Sequence, residues 1–104
     1  MTEKKQQRPV AVREALEGYL GRSGLARRLA HAQVIAEWPG LVGAQIAAVT
    51  SPDSVTPDGT LFVRVRTSAW MTELQLMTPE ILARVNDSRR AQGRIKTIRW
   101  LLGS

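Results

Sequence analysis

The stretch Thr60 to Ser68, TLFVRVRTS, alternates strictly, with Leu61, Val63 and Val65 in one set and Phe62, Arg64 and Arg66 in the other. Successive side chains of a strand point to opposite faces, so this period of two specifies a strand with one buried face and one wet face. A sheet that buries a single face needs helices to cover it. Pro57-Asp58-Gly59 is a turn signal and Val49 to Thr56 reads as extended, which together predict an antiparallel hairpin. Pro52 lacks the donor that a central strand needs and marks an edge or a bulge.

The flanking segments supply the helices. Pro9 suits a first helical turn, and Val12, Leu16, Tyr19 and Leu20 form one face of a helix that ends at Gly21. Ser23 can cap a second helix, in which Leu25, Leu29, Ala32 and Ile35 recur at helical spacing and Arg27, Arg28 and His31 fall to the other side. Trp38-Pro39-Gly40 should break it, and a short turn from Leu41 to Ala47 should then point Val42 and Ile46 inward. After the hairpin, Ser68 caps a helix carrying Trp70, Leu74 and Met77. Thr78-Pro79-Glu80 interrupts it, giving two consecutive helices or one kinked helix, with Ile81, Leu82 and Val85 in the second part, ending near Asn86. Ser88 to Arg94 reads as a basic linker. Ile95 to Leu102 closes the chain as a strand in which Ile98, Trp100 and Leu102 alternate with Thr97, Arg99 and Leu101.

The expected fold class is therefore α+β, with helices packed on one face of a small three-stranded mixed sheet. Residues 1–8 lack any apolar period and are expected to form a flexible tail, and 9–104 a single domain, since 104 residues leave room for one core. The chain has no cysteine, which excludes disulfides, thiolate nucleophiles and cysteine-based zinc sites. No apolar run approaches the roughly 18 residues of a membrane span, and Met1 to Pro9 lacks the apolar core of a signal peptide, so a cytoplasmic protein without a membrane partner is expected.

The formal charge is +6, and twelve of the fifteen basic residues are arginine, whose planar fork pairs phosphate in two-point fashion and stacks on bases. A GC-rich genome would produce the same bias. Arg64 and Arg66, joined by Arg99 if the last strand pairs alongside, should lie on the wet sheet face with Phe62, a combination suited to tracking phosphates and stacking bases. Exposed strand positions also carry arginine merely for solubility. Arg89, Arg90, Arg94 and Lys96 add four positive charges in eight residues and complete the candidate nucleic-acid-binding set, although a solvated linker would look the same. Trp38, Trp70 and Trp100 fall in phase with apolar faces and read as core. Gly40-Leu41-Val42-Gly43 matches a GxxG loop in letters only, because its middle residues are apolar. His31 is the sole histidine and has no partner in a recognisable arrangement, and Asp53 and Asp58 sit in turn-forming stretches. Neither an enzyme, a metal site, a cofactor nor a small-molecule substrate is expected.

Trp38 to Gly43, Asp58 to Val65 (DGTLFVRV), Ser68 to Leu74 (SAWMTEL) and Ile95 to Trp100, in that order, resemble the pattern of the DciA family. The SAW-x-x-EL segment after a GTL strand is its most specific part. The resemblance implies a K-homology-like domain, similar to one end of the initiator DnaA. It would bind single-stranded or double-stranded DNA and act as partner, loader or operator of the replicative helicase DnaB, with no chemistry of its own. Many members carry a long flexible tail beyond this domain, whereas this chain stops at Gly103-Ser104, so contacts made by such a tail would be missing. From charge alone, an RNA-binding or ribosome-associated module and a pure protein-interaction domain meeting an acidic partner stand as alternatives.

Overall fold

The computed structural model describes residues 12, 14, 15, 24–87, 89 and 93–103. Most of the first predicted helix, Ser23 and Arg90 lie outside them, and so does the predicted tail. Gly24, at φ 76°, turns the chain into helix α1, Leu25–Val42. Its buried face is His31, Val34, Trp38 and Val42, spaced by three and four. This corrects the predicted face: Leu29 is 54% exposed and Ala32 is exposed, while His31, expected outside, is inside.

The correction has one cause. Ending the helix at Trp38 cut the Val34–Trp38–Val42 stripe before its last member, and the weaker Leu25–Leu29 stripe took its place. Pro39 instead sits inside the helix. An interior proline costs about 3 kcal/mol through its lost N–H and ring clash, but burying Trp38 and Val42 on either side returns roughly 1.5–3 kcal/mol each. The helix therefore persists to Gly43, whose φ of 94° suits glycine and whose N–H donates to the Pro39 carbonyl at 2.9 Å.

Helix α2, Ala44–Val49, follows at once and buries Ile46. Val42 and Ile46 both face inward, as their spacing predicts. Strands β1, Thr50–Val55, and β2, Thr60–Val65, pair antiparallel through the 56–59 turn, with a register shift between Pro52 and Ser54. Helix α3, Ser68–Asn86, is one continuous helix with Pro79 inside, and its N-cap is Thr67 rather than Ser68: the Thr67 hydroxyl accepts from the Trp70 N–H at 3.2 Å. Strand β3, Thr97–Leu102, returns parallel to β2, giving the order β1-β2-β3.

Among the described residues, helices α1, α2 and α3 thus pack on a small three-stranded mixed sheet, the predicted α+β class. Leu61, Val63 and Val65 are fully buried against Val34, Trp38 and Val42 of α1 and Leu74, Ile81 and Val85 of α3, with Ile98 and Trp100 completing the layer. The rings of Trp38 and Trp100 meet at 6.4 Å with a 58° tilt, and Trp70 is half-buried at the margin. Leu102 departs from the predicted alternation, being 57% exposed at the end of β3. No described helix is long and apolar enough to cross a membrane.

Candidate nucleic-acid interface

Cross-strand register decides which side chains share the open face of the sheet. Phe62 lies opposite Ser54 on β1 and Arg99 on β3, and Arg64 lies opposite Ser51 and Leu101. Partners at one level of a sheet project to the same side, so Phe62, Arg64, Arg99 and Leu101 form one cluster facing away from the helices. Arg64 and Arg99 are exposed and Phe62 is half-buried between them. Arg66, also exposed, lies just past β2, where its N–H still donates to the Val49 carbonyl at 3.1 Å. Three of the predicted arginines and the predicted ring are therefore brought together.

The β-bulge adds a residue that the sequence did not suggest here. Asp53 comes within 4.0 Å of the Arg64 guanidinium, both side chains about half exposed. An exposed pair at that distance is worth well under about 1 kcal/mol, so Arg64 remains free to exchange it for another anion. Only a bulge register places Asp53 there, and turn composition alone could not reveal it.

The second predicted patch is divided. Arg89 has a side chain only 8% exposed: one Nη2 donates to Glu37 Oε1 at 2.8 Å and Nε donates to the Val85 carbonyl at 2.9 Å. That guanidinium ties the end of α3 to α1 and is withdrawn from the surface. Arg94 and Lys96 are exposed, but they border an open cleft of about 560 Å³ with Pro79, Leu82, Ala83 and Asn86, beside α3 and away from the open face. The two patches are thus separate surfaces.

Both ends of the 89–96 loop are fixed. Asn86 acts as a piece of backbone, its Nδ2 donating to the Ile95 carbonyl and its Oδ1 accepting from the Ile95 N–H, each at 2.8 Å. Gly93 lies against Ala30, where a Cβ would come within 2.8 Å of the Ala30 Cβ. The Lys96 N–H then donates to the Gly59 carbonyl at 2.8 Å. Neither role is legible in the sequence, because a helix-terminal Asn and a loop Gly carry no sign of the partner they meet.

His31, Arg28, Ala32 and Ile35 of α1 form a cleft with Asp53, Ser54, Val55 and Pro57 along β1. Burial, then the nearby Arg27 and Arg89 charges, push the His31 imidazole below its ordinary value. A neutral, largely buried imidazole brings no charge of its own to that cleft. Among the described residues, no three His, Asp or Glu side chains gather as a metal ligand set.

Residues 11–99 match the family described as Dna[CI] antecedent, DciA. The chain belongs to the DciA family. The DciA match takes in every described element except the last three residues of β3, and so includes Phe62, Arg64 and Arg99. Curated relatives include a UPF0232 protein of Streptomyces coelicolor, 31% identical over 89% of this chain and 49% of its own length. Another, from Mycobacterium tuberculosis, is 34% identical over 62% of this chain and 34% of its own length. A third, from Streptomyces avermitilis, is 31% identical over 76% of this chain and 44% of its own length. The DciA-family chain thus spans about half or less of the length of these curated relatives.

Proposed function

We propose that this chain is a DNA-binding accessory protein that partners the replicative helicase DnaB in the initiation of bacterial DNA replication, and that it acts in the cytoplasm by binding, without catalysis. Membership of the DciA family is the observation that carries this reading. The open sheet face supports it physically. Arg64 and Arg99 flank Phe62, and Arg66 follows just past the end of β2, on a surface that no described element covers. Guanidinium forks there would engage phosphates while the ring stacks a base, a mode that suits single strands of any sequence. Arg94 and Lys96 offer a second, lateral contact for the backbone of a longer strand.

The test is a triple variant, Arg64→Gln, Arg66→Gln and Arg99→Gln, titrated against a fluorescent single-stranded DNA in a salt series. Each phosphate contact on a single strand contributes about 0.7 to the slope of log K against log salt, so losing three should flatten that slope by about 2. An unchanged slope would remove the open face from the reading. Pull-down of the cognate DnaB, with and without single-stranded DNA, tests the partner, and retention of no helicase in either arm would remove that half. Competition by RNA of equal length distinguishes the DNA reading from an RNA-binding one.

A further inference from the structure

We propose that β3 is a docking edge, on which an extended acidic segment of a partner protein adds as a fourth strand. The inference stands on the sheet edge and goes beyond the DNA reading, with which it shares Arg64 and Arg99. In the order β1-β2-β3 the two outer strands differ. β1 is interrupted by Pro52 and the bulge at Pro52/Ser54, with α1 packed beside it, so it presents no regular row of donors and acceptors. β3 runs regularly for six residues in unbroken register with β2, and no described residue pairs with its outer side.

The phase of its hydrogen bonds is set. The Gly103 N–H donates to the Val65 carbonyl at 2.9 Å and the Thr97 N–H points to the Gly59 carbonyl, so odd-numbered residues of β3 face β2. By alternation, the N–H and C=O groups of Ile98, Trp100 and Leu102 point outward along the free edge. These are the groups that bind an incoming strand through its main chain, while side-chain neighbours on each face select its sequence.

The side chains favour one occupant. On the open face an added strand would lie beside exposed Arg99, with Arg64 one strand further in. The one carboxylate on that face among the described residues, Asp53, lies on the far strand β1. A carboxylate level with Arg99 therefore completes the local charge pattern. On the helix-facing side, Leu102 is 57% exposed at a position whose alternation calls for cover, so the strand should bring an apolar residue there. A second copy of this chain is disfavoured, because it would bring its own Arg99 and a net charge of +6 to the same seam.

The test uses the full chain and a fluorescein-labelled ten-residue peptide of valine and threonine with one central glutamate. Binding should protect the Ile98, Trp100 and Leu102 amides from hydrogen exchange. N-methylation of alternate peptide residues, which removes the ladder donors, should weaken binding by about tenfold or more. Arg99→Glu should invert the preference, so that a peptide with lysine in place of the glutamate binds better. Leu102→Pro removes one outward donor and leaves the inward ladder intact, and it should weaken the glutamate peptide about fivefold while circular dichroism confirms the fold. Equal binding of the glutamate and lysine peptides to the unmodified chain, indifference to N-methylation, or protection confined to residues outside β3 would each overturn the proposal. So would sedimentation showing that β3 is occupied by a second copy.

Discussion

Trp38 and Trp100 satisfy their indole N–H groups in the same way. Trp38 Nε1 donates to the Thr50 hydroxyl at 2.9 Å, which donates to the Ile46 carbonyl at 2.7 Å. Trp100 Nε1 donates to the Thr78 hydroxyl at 2.8 Å, which donates to the Leu74 carbonyl at 2.9 Å. Each threonine is donor and acceptor at once, so replacing it leaves a largely buried indole without a partner. Thr78→Val should lower stability by about 1–3 kcal/mol in urea titrations, whereas Thr78→Ser keeps both bonds and should lose less. His31 makes the second prediction at this scale. Its imidazole is held below the ordinary value of 6.5 by burial first and then by Arg27 and Arg89. The unfolded chain therefore takes up a proton before the folded one does. Stability from this group is full above about 6.5 and falls as pH drops from there through the folded-state value. Comparing urea midpoints across pH for the parent and His31→Gln should show a shallower acid-side slope in the variant; equal slopes would dissociate His31 from it.

The elements show why some of this fold was legible and some was not. The alternation of Leu61, Val63 and Val65 fixed β2, its turn and its buried face, because a period of two has a single reading and proline at 52 could only be an edge or a bulge. Helix α1 carried two competing stripes, and the choice between them hung on whether Pro39 ended the helix, a matter settled by tertiary burial of Trp38 and Val42. Pro39→Ala isolates that balance. If the helix runs through, alanine restores a hydrogen bond to the Ile35 carbonyl and should stabilise the protein by about 1–3 kcal/mol in thermal unfolding, net of the freedom gained by the unfolded chain. A helix that stopped at Trp38 would gain nothing.

Across the whole molecule, sequence placed the charges correctly in number but could not sort them by task. Arg64 and Arg99 were legible as surface because strand parity fixes their face. Arg89 looked the same as its neighbours, since nothing local announces Glu37, which lies 52 residues away. The two kinds of arginine should separate cleanly in experiment. Arg89→Gln should cost about 1–2 kcal/mol of stability by stripping the bonds that a withdrawn guanidinium makes to exposed Glu37 and to the Val85 carbonyl, with little change in single-stranded DNA affinity while the protein stays folded. Arg99→Gln should weaken that affinity and move stability by no more than about 0.5 kcal/mol. Unfolding curves and DNA titrations on both variants read the contrast directly.

The inequality of the two sheet edges bears finally on stoichiometry. A strand added at β3 extends the sheet on one side only, because Pro52 and the bulge leave the β1 side without a matching template. Sheet growth by repeated head-to-tail stacking needs two competent edges per molecule, and among the described residues this sheet offers one. With the proposed partner docked there, the protein is monovalent in that sense: an assembly built through its sheet stops at one partner strand per chain.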